Sequence, residues 1–254
     1  MKDKNSYYYG YNIEDGYDSN KIKDLLIKDG IKTLTKKILV YIGYKCIFLF
    51  FRYFIINIDK YRYHQYKYNS VVGETAKYNT IIGERVIEIP FVTRYIKSCN
   101  GCKILEVGNV LSHFYQFEHD IIDKYEIGNS VKNIDIVDFD SNMKYDLIIS
   151  ISTLEHVGFD EPVLEPHKPA KALTKIIGLL SNGGMAIITV PLAYNPEIDD
   201  IIKNKKIAFS EAHFLKRVSY LNLWRETNLE DGLNCKYGSK YIFANSVAFL
   251  IYRK

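Results

Sequence analysis

A short apolar run that carries an acid and is followed by a glycine is the segment of the sequence best suited to bind a ligand. Glu106 lies near the end of the apolar run 103–107, and Gly108 and Asn109 follow directly. The segment has neither the Gly-Lys-Ser/Thr of a phosphate loop nor the spaced glycines of G-x-G-x-x-G. A carboxylate at this place favours a ligand with a cationic or hydrogen-bond-donating group.

Two further carboxylates end later apolar runs. Asp123 closes the run 120–123, and Asp138 closes the run 134–138. If these runs are parallel strands, their ends meet at one edge of a sheet, so the carboxylates add acceptors for hydroxyl or amine groups at the same place.

The elements that must position these residues alternate in type. The named runs, together with 145–152, 185–190 and 246–252, are short and rich in β-branched residues, whereas 169–180 has apolar residues at helical spacing. Short apolar strands separated by helices are typical of a parallel sheet covered on both faces. We predict a Rossmann-like, doubly wound α/β fold with a mostly parallel sheet of about seven strands and an N-terminal helical extension.

In this order, the segments resemble class I S-adenosylmethionine-dependent methyltransferases. Ile104-Leu105-Glu106-Val107-Gly108 is similar to that family's first motif. The stretch 145–157 is similar to its fourth-strand motif, and 180–191 to its helix end, glycine turn and fifth strand. The similarity covers about residues 84–254 and implies a methyltransferase with S-adenosylmethionine as its cofactor.

The resemblance also implies a set of cofactor-binding residues. Asp123 stands where the family binds ribose, and the pair Asp138-Phe139 stands where it contacts adenine. The implied set is Glu106, Gly108, Asn109, Asp123, Asp138, Phe139, Ser152 and Leu154.

The chain departs from the family's glycine pattern after the first strand. Val110 and Ser112 occupy positions where the family usually has glycine. Their Cβ atoms narrow the approach to the amino-acid end of the cofactor.

Catalysis in such an enzyme consists mainly of aligning a nucleophile with the methyl group, and a hydroxyl nucleophile profits from a general base. His156, just past the fourth strand, is the best-placed base, with Glu155 and His213 as second candidates. We expect O-methylation of a small molecule or a glycan, with the segments 161–169, 194–197 and 212–225 shaping the acceptor site. The alternative is a catalytically inactive, methyltransferase-like binding or scaffold module, which the missing glycines favour.

Composition and cysteine spacing limit the remaining classes. With 254 residues, 47% hydrophobic, the chain has material for one large globular domain with an extension. No His, Cys, Asp and Glu group has metal-ligand spacing, so we predict no metal. The pair Cys99 and Cys102 has redox or zinc spacing without a second pair, and we interpret it as a turn with incidental thiols in a reducing cytosol.

Basic charge is concentrated near the N-terminus. Residues 1–68 carry 13 Lys and Arg against 7 Asp and Glu, and the remainder is slightly acidic. A nucleic-acid partner is therefore not expected, because its interface would require a basic main domain. We divide the chain into a flexible tail (1–20), a basic and apolar helical extension (21–70) and a methyltransferase-like α/β domain (71–254).

The extension has charges on one helical face. Lys45, Arg52 and Asp59 are spaced by seven, which leaves a wide apolar surface opposite them. Three alternatives stay open for residues 21–61: packing on the chain's own domain or in a homodimer, peripheral docking on an anionic membrane, and a bilayer span. We expect a cytoplasmic protein, located at the inner face of the membrane if this helix docks there.

Overall fold

The computed structural model describes residues 83–114, 118–128, 130–220 and 222–254, and six isolated positions between 31 and 46. The chain divides into two compact units, Met1–Ile87 with Ser219–Leu223 and Glu88–Val218 with Trp224–Lys254. The described elements are helix α1 (Arg85–Ser98), strand β1 (Ile104–Val107), a 3₁₀ turn (Leu111–His113), β2 (Asp120–Asp123), β3 (Val131–Asn133), β4 (Tyr145–Ile151), α2 (Lys168–Leu179), β5 (Leu180–Pro191), α3 (Pro196–Lys203), β6 (Glu211–Arg217), β7 (Trp224–Thr227), α4 (Leu229–Leu233) and β8 (Ser246–Arg253).

A single eight-stranded sheet runs in the order β3-β2-β1-β4-β5-β8-β6-β7. The first five strands of this order are parallel, and β8 is antiparallel to both β5 and β6. The strand β7 pairs antiparallel with β6 at the far edge. The predicted doubly wound, Rossmann-like fold is confirmed, with eight strands instead of about seven.

Helices cover both faces of the sheet. Ile148 of β4 and Leu250 of β8 share one buried cluster with Leu173 of α2. Phe249 points to the opposite face, because side chains alternate along a strand. There its ring packs against Phe91 of α1, with ring centroids 4.6 Å apart. Fully burying each such side chain contributes about 1.5–3 kcal/mol.

The third strand differs from its prediction. The run 134–138 was predicted as a strand, but β3 is Val131–Asn133, where Val131 pairs with Ile121 of β2. Ile136 is buried although it lies in a turn after the strand. An apolar run that packs into the core from a turn has the same composition as a buried strand, which explains the error.

A proline and a glycine lie inside two of these elements. Helix α1 begins at Arg85, so Pro90 lies inside the helix. Helix α2 ends at Leu179, and Gly183 lies within β5, where the pairing with β4 shifts register. The glycines therefore form an irregularity of the strand and do not terminate the helix.

A disulfide bond joins Cys99 to Cys102 between α1 and β1. The backbone N–H of Cys102 donates to the carbonyl of Cys99 at 3.5 Å. The predicted turn is thus confirmed, whereas the interpretation of the two cysteines as incidental thiols is wrong.

Little of the predicted N-terminal extension falls within the described positions. Those that are described are all α-helical: Ile31, Thr35, Leu39, Ile42, Gly43 and Cys46. The predicted tail and the rest of residues 21–70, including the membrane or homodimer contact, lie outside the described residues. Within the described part of the chain, we find no helix that is long and apolar enough to cross a bilayer.

Asp199 of α3 is predicted to make the stability of the fold depend on pH. Its carboxylate accepts a hydrogen bond from the backbone N–H of Ala193 at 3.1 Å, but burial raises the pKa of Asp199 from 3.8 to about 6. The folded protein therefore holds this proton more tightly than the unfolded chain does. The contribution of Asp199 to stability should therefore fall as pH rises from about 4 to about 6, by roughly 2 kcal/mol after allowance for partial exposure.

The variant Asp199→Asn should remove this part of the pH dependence, because an amide stays neutral and can still accept from Ala193. Denaturant unfolding at intervals between pH 4 and pH 7 measures the slope for each protein. Asp140→Asn, in an exposed loop, is the matched control and should keep the wild-type slope. Equal slopes for wild type and Asp199→Asn would contradict the prediction.

Candidate active site at the carboxyl edge of the sheet

The strand order reverses between β1 and β4, so the loops after these two strands meet at the carboxyl edge. Gly108 follows β1 with a φ of +87°, and a Cβ atom there would lie 2.1 Å from Oγ1 of Thr153. The backbone N–H of Gly108 donates to the carbonyl of Ile122 at 2.8 Å. Glycine is therefore required by conformation and by space, and the two loops are in direct contact.

Glu106 holds the loop after β1 through hydrogen bonds to the loop backbone. Its Oε1 accepts hydrogen bonds from the backbone N–H groups of Val110 at 2.9 Å and Leu111 at 2.7 Å. Its Oε2 lies 2.7 Å from Nε2 of His119, and both side chains are buried. The sequence suggests a carboxylate aimed at a ligand, but this carboxylate is used inside the protein and shapes the loop.

Asp123 ends β2 beside that loop. Its Oδ2 accepts from the backbone N–H of Asn109 at 3.0 Å, and its Oδ1 accepts from those of Tyr125 and Glu126 at 2.8 Å. A carboxylate offers about four acceptor sites, so one remains on Oδ2 for a ligand hydroxyl. The Asn109 side chain donates to Glu126 at 2.6 Å and accepts from the hydroxyl of Ser112.

The two residues expected to contact adenine lie apart from these groups. Asp138 is exposed in a turn that its backbone N–H closes by donating to the carbonyl of Asp135 at 3.0 Å. Phe139 is buried in the hydrophobic core. Because β3 ends earlier than predicted, the buried carboxylate at this edge is Asp135.

Asp135 belongs to an ion network that the sequence did not reveal. Lys168 Nζ lies 3.1 Å from Asp135, 2.8 Å from Glu161 and 3.0 Å from Glu165. Lys124 Nζ lies 3.0 Å from Asp135 and 2.5 Å from Glu161. Burial alone would raise the pKa of Asp135, but hydrogen bonds from the two lysines hold that pKa below its usual value. The network fastens the loop 158–168 to the ends of β2 and β3.

The start of the loop after β4 is held by a buried carboxylate. Ser152 has a φ of +40°, and its hydroxyl donates to Oε1 of Glu88 on α1 at 2.5 Å. Thr189 of β5 donates to the same oxygen at 2.7 Å. Leu154 is completely buried. Ser152 and Leu154 thus fix the course of the loop, and Ser152 does so in a strained backbone conformation.

His156 lies in a cluster of hydrogen-bonded side chains. Its Nδ1 is hydrogen-bonded to the carboxylate of Asp160, and the hydroxyl of Tyr194 donates to the same oxygen at 2.6 Å. Glu155, almost completely buried, has Oε1 3.7 Å from Nε2 of His156. Burial, and then the hydrogen bond to Asp160, raise the pKa of Tyr194, so its hydroxyl remains a donor.

The other candidate base lies elsewhere. His213 is on β6, where its ring is 6.2 Å from that of Phe91 and its Nε2 is 3.7 Å from Glu211. No group of three or more His, Cys, Asp or Glu side chains is arranged to hold a metal ion in the ranges that the structure describes.

Comparison with known proteins gives structural similarities only. No family model matches the sequence, and no curated protein matches it. The N-methyltransferase NodS from Bradyrhizobium japonicum, in complex with S-adenosyl-L-homocysteine, is 13% identical over 65% of this chain and 84% of its own, with a TM-score of 0.43. An S-adenosylmethionine-dependent methyltransferase from Archaeoglobus fulgidus is 16% identical over 68% of this chain and 95% of its own, with a TM-score of 0.42.

A third similar structure is the sugar N-methyltransferase KedS8 from Streptoalloteichus sp. It is 12% identical over 66% of this chain and 87% of its own, with a TM-score of 0.34. At these identities and TM-scores, the activity and ligands of those proteins do not transfer to this chain.

Replacement of Gly108 is predicted to be unusually costly. In Gly108→Ala, the positive φ costs about 1–2 kcal/mol, and the close contact with Thr153 adds to it, so we expect a loss of at least about 2 kcal/mol in unfolding free energy. Denaturant unfolding measures this loss. Gly238→Ala is the matched control, because Gly238 has a φ of +65° with nothing within 4 Å of the added Cβ. Equal losses in the two variants would show that the contact with Thr153 contributes nothing.

Proposed function

We propose that the chain is a methyltransferase that uses S-adenosylmethionine and O-methylates a small molecule or a glycan. One observation carries this proposal: the Gly108 turn contacts Thr153, three residues before His156. The turn after β1 and the imidazole of His156 therefore share the switch point of the sheet. Switch points are where open α/β sheets bind their ligands.

The residues at the end of β1 and β2 fit this cofactor. Bound S-adenosylmethionine supplies a methyl group on a positively charged sulfur, which a nucleophile can displace. Gly108 allows the loop after β1 to pack against Thr153, because a Cβ atom would occupy the place of the Thr153 hydroxyl. Asp123 keeps one acceptor site for a ribose hydroxyl, and Asn109 is fixed next to it by the bond between its N–H and Asp123.

His156 is proposed as the general base toward the acceptor. In the tautomer that donates Nδ1–H to Asp160, Nε2 is the atom that takes a proton from the acceptor hydroxyl. Asp160 then stabilises the imidazolium that forms. Tyr194 stays protonated because its pKa is raised, so it continues to orient Asp160 across the neutral pH range.

A second candidate function is a binding or scaffold module without turnover. The N–H groups of Val110 and Leu111 donate to Glu106 and not toward the ligand side of the loop. Backbone N–H groups of such loops are natural partners for an anionic group, and here they are already used. This observation favours the alternative, and cofactor binding decides between the two.

The purified chain should bind S-adenosylmethionine and S-adenosylhomocysteine with micromolar affinity in a calorimeter and should not bind NAD. Asp123→Ala should weaken this binding at least about tenfold, because it removes the acceptor for ribose and releases the backbone of the loop. Asp140→Ala, which alters an exposed carboxylate of another loop, is the matched control and should bind like wild type. If neither S-adenosylmethionine nor S-adenosylhomocysteine binds, the enzyme proposal is refuted in favour of the binding or scaffold module.

Loss of His156 should affect turnover and not cofactor affinity. In His156→Ala, methyl transfer from labelled S-adenosylmethionine to a responsive hydroxyl acceptor should fall by about 10²–10⁴-fold, the range typical of general base catalysis. The dissociation constant of S-adenosylhomocysteine should stay within about twofold of wild type.

Lys175→Ala is the control for a substitution outside the site. Lys175 lies on α2, where its Nζ is 3.6 Å from the exposed carboxylate of Asp140. Its variant should transfer methyl groups at the wild-type rate. Wild-type turnover in His156→Ala would remove His156 from the mechanism.

A further inference from the structure

We propose that the methyl acceptor is a saccharide and that Tyr237 is a specificity-determining residue for it. The inference rests on the proposed function and adds the class of acceptor and the loop that recognises it. Its basis is an aromatic wall beside His156, which we define as Phe159, Tyr194 and Tyr237.

The wall is built around the ring of Tyr194. The ring centroid of Tyr237 is 4.7 Å from that of Tyr194, and the centroid of Phe159 is 5.7 Å away. His156 is the fourth ring, at 5.3 Å. All three contacts with Tyr194 are edge-to-face, and the side chains are half-buried. Rings that are only half covered leave apolar surface next to the candidate base.

Tyr237 reaches this place from the loop 234–245, which precedes β8 and has no part in the motifs of the sequence. Asn245, almost completely buried, donates its side-chain N–H groups to the carbonyls of Lys236, Tyr241 and Phe243 at 3.1–3.3 Å. Its Oδ1 accepts from the backbone N–H of Tyr241 at 3.0 Å. One side chain thus fixes the loop on both sides of Tyr237.

Arg217 of β6 also holds the loop 234–245 in place. Its guanidinium lies over the ring of Tyr241 at 4.7 Å, and its Nη1 donates to the carbonyl of Ile242 at 3.3 Å. Phe243 has a φ of +68°, a conformation that a bulky residue adopts only when its surroundings impose it. A loop held by two buried polar side chains in a strained conformation presents Tyr237 in a defined position.

The chemistry of this surface suits a sugar ring. The faces of aromatic rings are electron-rich, and the C–H groups on the face of a pyranose are slightly positive, so the two pack favourably. The carboxylate of Asp160 lies at the border of the wall and can accept from a sugar hydroxyl. A few polar groups next to apolar rings are typical of small-ligand sites.

The same observations argue against a cationic acceptor. Asp160 already receives hydrogen bonds from Tyr194 and from His156 Nδ1, which satisfy much of its charge. Glu155 is almost completely buried behind His156. The surface around the wall is therefore better suited to bind a neutral sugar ring than an ammonium group.

The test is saturation-transfer NMR on the full chain with S-adenosylhomocysteine present, using cellotriose and maltotriose as saccharide probes and phenol as the competing ring. We expect transfer to ring protons of at least one trisaccharide and at least tenfold weaker binding in Tyr237→Ala. Tyr95→Ala removes a half-buried tyrosine of α1 and should leave saccharide binding unchanged. Thermal unfolding and calorimetric affinity for S-adenosylhomocysteine are measured on all three proteins.

The outcomes separate this inference from the function on which it rests. Binding of phenol alone, or equal loss in Tyr237→Ala and Tyr95→Ala, overturns the saccharide assignment while the cofactor result stands. Saccharide binding that Tyr237→Ala leaves intact overturns the role of Tyr237. Absence of S-adenosylhomocysteine binding in wild type refutes the proposed function itself.

Discussion

The arrangement of the carboxyl edge depends on the buried ammonium group of Lys168. It lies within 3.1 Å of three carboxylates, from Asp135, Glu161 and Glu165, which would repel one another without it. Two of these acids and Lys168 itself are almost completely shielded from water. An unpaired charge at such a depth costs several kcal/mol, so the ion pairs between the lysine and its partners form or break together. These ion pairs hold the loop after β4 against the ends of β2 and β3.

The other end of the same loop is fixed by Glu88. Ser152 is bound to Glu88 directly after β4, and Lys168 begins α2. His156 lies between two anchored points, and its imidazole is oriented further by Asp160 and Tyr194. The proposed general base would therefore lose little entropy on meeting its substrate, as in other preorganised sites. The backbone strain at Ser152 is tolerated because both anchors are buried.

Local patterns predicted much of the fold but little of the network. The strands β1, β2, β4 and β8 and the helix α2 followed from apolar runs and helical spacing, since each is decided by residues close in sequence. The strand β3 was misplaced because Ile136 packs into the core from a turn. Lys124 and Glu161 are 37 residues apart, so only the folded sheet brings them together. Likewise, the acid of the first motif, Glu106, was expected at a ligand, and nothing local indicates its bonds to Val110 and Leu111.

The position of β8 has a consequence for the order of folding. This strand comes after β6 and β7 in the chain, yet it lies between β5 and β6 in the sheet. The hairpin of β6 and β7 can form early from nearby residues, but it cannot join the parallel half until β8 has inserted. Until then, β5 and β6 each expose an unpaired edge on which another chain could add a strand. Partly folded molecules are therefore most open to strand addition by another chain before β8 has inserted between β5 and β6.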